Sequence, residues 1–206
     1  MAATFTKLFS FPNAPTENAS HITTRIQNIL QSPLISRYDV TYKLYRKQSE
    51  KLATLQFGSS PVLYCLCGSD VFELESEYEN MLLKLKTWNL RQTTRIIGSV
   101  HEIEKAGLGT SGSRRVSVGV ISQGPSTKGI VVDIQESYED VLQAAMEVNE
   151  NILHSIMGPI YNTLAIDLKT SQPLILSTGT GLLVDMPVNS GKMQTATSYF
   201  ELFSKL

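Results

Sequence analysis

Histidine and cysteine, the residues most often recruited for metal and nucleophile chemistry, are scarce, with three of the first and two of the second in 206 residues. Cys65 and Cys67 lie two apart in the strand-like run VLYCLC. There they face one side, a mutual disulfide would be strained, and the second ligand pair of a structural zinc site is missing. His21, His101 and His154 are scattered, and no G-x-S-x-G run supplies a nucleophile elbow. Basic charge is equally thin: 18 Lys and Arg against 19 Asp and Glu leave a net charge of −1. No positive field draws a phosphate backbone, so direct nucleic-acid binding is not expected. Long apolar runs are missing too, and none approaches the roughly 18 residues that cross a bilayer. The N-terminus shows no signal-peptide core, so a soluble, intracellular protein without membrane contact is expected. The acceptor triplet Asn18-Ala19-Ser20 then has no meaning as a glycosylation site.

What is present is a well-patterned globular chain, 42% hydrophobic and 18% charged. That length suits one domain, over residues 1–206, burying roughly 70% of its unfolded surface. TFTKLFSF reads as an opening strand, and ASHITTRIQNILQSP as a short amphipathic helix stopped by Pro33. YDVTYKLYR alternates with period two, placing Tyr38, Val40, Tyr42 and Leu44 on one face. Leu52 to Phe57 and Val62 to Cys67 are the next strands, joined by Gly58-Ser59-Ser60-Pro61. Short connections of this kind imply antiparallel pairing. SEYENMLLKLKTW carries a capping-box pattern, Ser76 with Glu79, ahead of an apolar stripe through Tyr78, Met81, Leu82, Leu85 and Trp88.

A second β region spans about Thr93 to Glu136 and ends in a hairpin through SQGPSTKG. Pro125 fixes its φ there, while Gly124 and Gly129 permit tight or left-handed geometry, so these three are expected to hold the hairpin register. SYEDVLQAAMEVNENILHSIMGP predicts a long helix capped by Ser137 and Asp140. Short β-like pieces follow at 164–168, 173–176 and 182–184, and TSYFELFSKL closes the chain as an amphipathic helix. The expected class is α+β, an antiparallel sheet curled toward a barrel with helices on its outside.

Three motifs invite a chemical reading. AGLGTSGS, residues 106–113, has the G-x-G-x-x-G spacing of a dinucleotide cradle, but a period-2 strand follows where the phosphate needs a helix N-terminus. It reads as an extended, mobile hairpin loop. Ser190-Gly191-Lys192 fails as a P-loop, because Met186 stands where the earlier glycine is required and Met193 where a hydroxyl must meet the metal. Glu73-x-Glu75 and Glu102-x-Glu104 are E-x-E pairs that, on strands, would aim two carboxylates at one face. Such pairs in a β-tunnel resemble metal-dependent RNA triphosphatases, which is the alternative reading. The acids also suit the start of a helix, and the strands offer few inward cations for phosphates. No cofactor or metal is expected.

Lack of catalytic equipment on a patterned domain points to an interaction protein. FELESEYENMLLKLKTW, VSVGVISQGPSTKGIVVDIQ and TSYFELFSKL, in this order, resemble the Mediator Head-module subunit twenty family, also described as the TATA-binding-protein-related or suppressor-of-RNA-polymerase-B two family. The resemblance implies a non-enzymatic nuclear subunit with a barrel-like sheet flanked by helices. It implies a heterodimer with the related eighteenth Mediator subunit, tethered through the eighth, within a module supporting RNA polymerase II initiation. The stretch EKAGLGTSGSRR departs from the family in being longer. A sheet heterodimer needs an edge strand or an exposed apolar patch. Val131, which faces away from Ile130 and Val132, and Tyr199, Phe200 and Phe203 of the C-terminal helix are the candidate interface residues, with packing on the chain's own core as their competing role.

Overall fold

A computed structural model describes residues 3–12, 34–58, 60–104, 113–138, 174–177 and 190–206, together with positions 21, 24 and 28. Nine strands form one antiparallel sheet: β1 (Ala3–Pro12), β2 (Leu34–Lys47), β3 (Glu50–Phe57), β4 (Val62–Cys67), β5 (Asp70–Glu75), β6 (Asn89–Glu104), β7 (Ser113–Gln123), β8 (Ser126–Tyr138) and β9 (Leu174–Ser177). Two helices complete the described elements, α1 (Glu77–Leu85) and α2 (Ser190–Ser204). The strand order is β5-β4-β3-β2-β6-β7-β8-β1-β9. Among the described residues no pairing joins β5 to β9, so the described sheet is open.

The alternating pattern of β2 works as the sequence dictates. Tyr38, Val40 and Tyr42 are buried on an inner face, while Asp39, Thr41 and Lys43 lie half-buried on the other. The same alternation carries Tyr45 to the outer face, opposite a bulge in β6 that leaves Arg91 as the extra residue. Two cores result. The inner one gathers Tyr38, Val40, Tyr42, Leu55, Tyr64, Ile96, Ile121 and Val131 around Ala196, Tyr199, Phe200, Leu202 and Phe203 of α2. The outer one is smaller, with Tyr45, Leu52 and Cys65 under Leu82 of α1.

Helix α2 touches β3, β4 and β5 from one end of the strand order and β1 and β9 from the other. A flat sheet could not do this with strands about 4.8 Å apart, so the sheet bends around the helix. The expectation of helices only on the outside is thereby corrected for α2, which runs along the concave face.

The capping box is also corrected. Ser76 makes no side-chain cap bond, and Glu79 does not reach back to it. Instead the Glu79 carboxylate takes a proton donor from Lys43, one from Tyr45 at 3.0 Å and one from Thr54 at 3.1 Å. Three partners on two strands outbid one backbone NH, and they pin α1 across the outer face. Ser137, expected as a helix cap, lies in β8 opposite Thr4. The remainder of that predicted helix, 139–158, falls outside the described residues, as do the β-like pieces at 164–168 and 182–184. Of the predicted helix near 19–33, His21, Thr24 and Asn28 are described, and they are helical and exposed.

Candidate functional site

The β7–β8 hairpin turns through Gly124 and Pro125 alone, with Gln123 paired to Ser126. Gly124 has φ +58, the value required at the first central position of a type II′ turn, and Pro125 is held at the second. A register shift follows between Ile121 and Ser122, which leaves Lys128 as the extra residue beside Gly129. Gly129 has φ +152, and a Cβ there would stand 2.3 Å from the Phe11 carbonyl oxygen of β1. Glycine at 129 thus lets β1 approach β8 at the bulge.

Val131, Tyr199, Phe200 and Phe203, the candidate interface residues, are all buried within this chain. Tyr42 stacks on Phe203 at 4.6 Å between ring centroids, Phe57 meets Tyr199 edge-on at 5.3 Å, and Tyr42 meets Phe200 edge-on at 6.3 Å. Apolar residues surround α2 because a bent sheet surrounds it. In this structure these side chains fill the chain's own core.

The inner core contains one ionisable cluster. Asp133 of β8 sits between Ser117 and Leu8 in the sheet, fully buried. Tyr199 donates to its Oδ2 at 2.7 Å, Gln135 donates to the same oxygen at 3.0 Å, and the Tyr38 hydroxyl bonds to that of Tyr199. Oδ1 has no hydrogen-bond partner. Burial raises the Asp133 carboxyl to about 6, against the lowering effect of the Tyr199 and Gln135 bonds. Burial also pushes both phenols well above their usual range, and the neighbouring carboxylate adds to this.

The two glutamate pairs lie on separate parts of the sheet. Glu73 and Glu75 are on β5 and Glu102 and Glu104 on β6, with β4, β3 and β2 between. Tracing the register from Glu73 through Tyr64, Leu55 and Tyr42 reaches Thr94 on β6. Glu102 stands eight residues beyond Thr94, an offset along the strands of roughly 27 Å that bending the sheet across the strands does not remove. Glu102 instead faces Arg115 at 3.9 Å. Among the described residues no group of three or more His, Cys, Asp or Glu could hold a metal ion. The glycine-rich residues 105–112 lie outside the described part, yet Glu104 pairs with Ser113, and β7 begins at once. A strand therefore stands where a dinucleotide site requires a helix.

A different surface draws attention on the outer face. Met81, Leu83 and Leu85 of α1 are 55%, 51% and 63% exposed, and Leu90, at the start of β6, is 45% exposed. The stripe expected through Tyr78, Met81, Leu82, Leu85 and Trp88 splits, since Leu82 alone is buried while Tyr78 and Trp88 are half-buried against the outer core. Helical spacing groups Met81 and Leu85 with Leu82 in one stripe, but the structure buries Leu82 alone. A helix of nine residues laid over a single short stretch of sheet covers too little to bury both.

Fold and site together define an α+β protein with an open antiparallel sheet wrapped about one helix and a second helix laid across its outside. No known protein-family profile matches the chain. In sequence it is similar to Mediator of RNA polymerase II transcription subunit 20 of Schizosaccharomyces pombe, with 29% identity over 103 residues, 48% of this chain and 49% of that protein. The match spans about half the length of that relative, and the resemblance to the subunit twenty family is shown on this ground. Structural likenesses are weaker. A conserved hypothetical protein of Pyrococcus furiosus gives a TM-score of 0.35 at 13% identity, covering 82% of this chain and 93% of its own. The S. pombe Pct1 RNA triphosphatase gives 0.38 at 6%, covering 82% and 86%. At these scores they carry no argument.

Proposed function

We propose that this chain is a non-enzymatic subunit of the Mediator Head module that works in the nucleus by holding other proteins together. Its direct partner is the eighteenth Mediator subunit, the eighth is reached through it, and the module supports RNA polymerase II initiation and its regulation. The observation that carries this reading is the similarity to Mediator subunit 20 over 103 residues. The bend of the sheet around α2 supports the barrel-like shape implied for the family. The wide separation of the two E-x-E pairs speaks against a tunnel with one shared metal site.

Purification of the tagged full chain from its native cells, followed by mass spectrometry, tests the proposal. Recovery of further Mediator subunits in stoichiometric amounts is the expected result. A solitary monomer, or a manganese-dependent triphosphatase activity lost in Glu73→Ala and Glu102→Ala, would overturn it.

A further inference from the structure

The exposed apolar residues of α1 lie in a setting of one charge sign. From Asn80 to Arg91 the chain carries Lys84, Lys86 and Arg91 and no acid. The adjoining end of the β2–β3 hairpin adds Lys47, on the same face as Tyr45 and with its ammonium 6.0 Å from the Trp88 ring, while Arg46 and its partner Lys51 alternate to the opposite face. Lys47, Lys84, Lys86 and Arg91 are exposed, and among the described residues none of the four is in an ion pair. Two exposed acids stand at this end of the sheet, Glu50 at the β2–β3 turn and Asp70 at the β4–β5 turn, while Glu79 is turned inward onto Lys43, Tyr45 and Thr54 and Glu77 sits at the far end of α1. A chain with net charge −1 thus gathers four cations beside Leu85, the most exposed leucine among the described residues.

We propose that the outer face formed by Met81, Leu85 and Leu90, with Lys84, Lys86, Lys47 and Arg91 beside them, docks an acidic amphipathic helix of a partner protein. Charge complementarity selects the occupant. An apolar stripe at i, i+3 and i+4 seats on Met81, Leu85 and Leu90, while flanking Asp and Glu meet the lysines. A basic helix would be repelled, and a neutral one would forgo the long-range attraction that this corner offers. A second copy of this chain is a poor occupant, since the like faces would bring eight cations together. The Lys47–Trp88 contact and the Glu79 anchor fix the floor on which such a helix would lie. The assignment does not depend on Mediator membership, because it rests on this corner alone.

The probe is a fluorescein-labelled helical peptide of about 18 residues with Leu at i, i+3, i+4 and i+7 and Glu on both flanks, compared with the same peptide carrying Lys for Glu. Fluorescence anisotropy with the full chain should show saturable binding of the acidic peptide, weakened at least about tenfold for the basic one and falling with added salt. Leu85→Asp, and separately Lys84→Glu with Arg91→Glu, should each weaken the acidic peptide by about tenfold or more. These side chains are exposed, so circular dichroism should be unchanged. No saturable binding, equal binding of both peptides, or wild-type affinity in both folded variants would overturn the proposal. Self-association of the chain abolished by Leu85→Asp would assign the face to a second copy instead. Co-purification of Mediator subunits is unaffected by any of these outcomes, so this proposal and the functional one fail separately.

Discussion

Tyr199 of α2 donates a 2.7 Å hydrogen bond to Asp133 of β8, and this bond ties the C-terminal helix to a strand 66 residues earlier in the chain. It is a costly tie when Asp133 is ionised, because one carboxylate oxygen remains unpartnered in a dry core. Its consequence is a defined pH dependence. The folded-state carboxyl ionises near 6 against an ordinary value of 3.8. A raised folded value means that the native state holds the proton more tightly, so this group's stabilisation is complete below the ordinary value and is lost as pH rises through about 6. Urea unfolding should show this group adding roughly 2 kcal/mol at pH 4 relative to pH 8. Asp133→Asn retains an acceptor for Tyr199 and should flatten that part of the profile. A wild-type curve with the same slope as the variant's would remove Asp133 as its source.

Gly98 and Gly119 face each other across β6 and β7, and Tyr38 lies beside Gly98 on β2. A Cβ on Gly119 would come within 2.5 Å of Ile96 Cγ2 and 2.8 Å of Tyr38 Cδ1. Gly119→Ala should lower stability by about 1–3 kcal/mol, read as a lower urea midpoint. Gly58, with φ +53 and nothing within 4 Å, presents the opposite case, in which Gly58→Ala costs only backbone strain of roughly 1 kcal/mol. Equal effects at the two sites would mean that the ring of Tyr38 yields.

Phe203→Ala should cost about 3–5 kcal/mol, since it empties a fully enclosed ring position stacked on Tyr42. Phe200→Asp should abolish cooperative unfolding, because it buries an unpaired charge. Circular dichroism melts read both. An unchanged melt for Phe200→Asp would put that side chain at the surface.

Replacing residues 105–112 by Asn-Gly should leave stability within about 1 kcal/mol of wild type, because loop closure depends weakly on length and a two-residue turn suits this pairing. Glu104 and Ser113 already face each other across it. A larger loss, seen in thermal denaturation, would assign the loop a packing role.

Local order was legible wherever a segment's partner lies next to it in sequence. The alternation of β2, the β3–β4 pairing and the Gly124-Pro125 turn follow from period two and turn chemistry. What escaped depends on distant segments. Asp133 occupies a polar slot in an alternating strand, yet β8 is buried on both faces, with Ile130, Val132 and Ile134 on one and Val131 and Asp133 on the other. Glu79 matches a cap by spacing, but the lysine, tyrosine and threonine that claim it come from β2 and β3. The aromatic wrapping of α2 was visible in SYFELF, whereas the surface it meets is a sheet bent round it, which no local pattern states. The exposure of Met81 and Leu85 was hidden for the complementary reason, since helical spacing reports a stripe without reporting what is there to cover it.

Because α2 follows all nine strands in the chain yet fills the hollow between them, the inner core cannot be closed until the sheet's builders have all been synthesised. Until then the faces of Tyr42, Phe57 and Tyr64 stand open to water and to any sticky neighbour. Such exposed faces favour aggregation before synthesis ends, and a premature stop only a few codons before Tyr199 would yield a sheet with no filling rather than a slightly shortened protein.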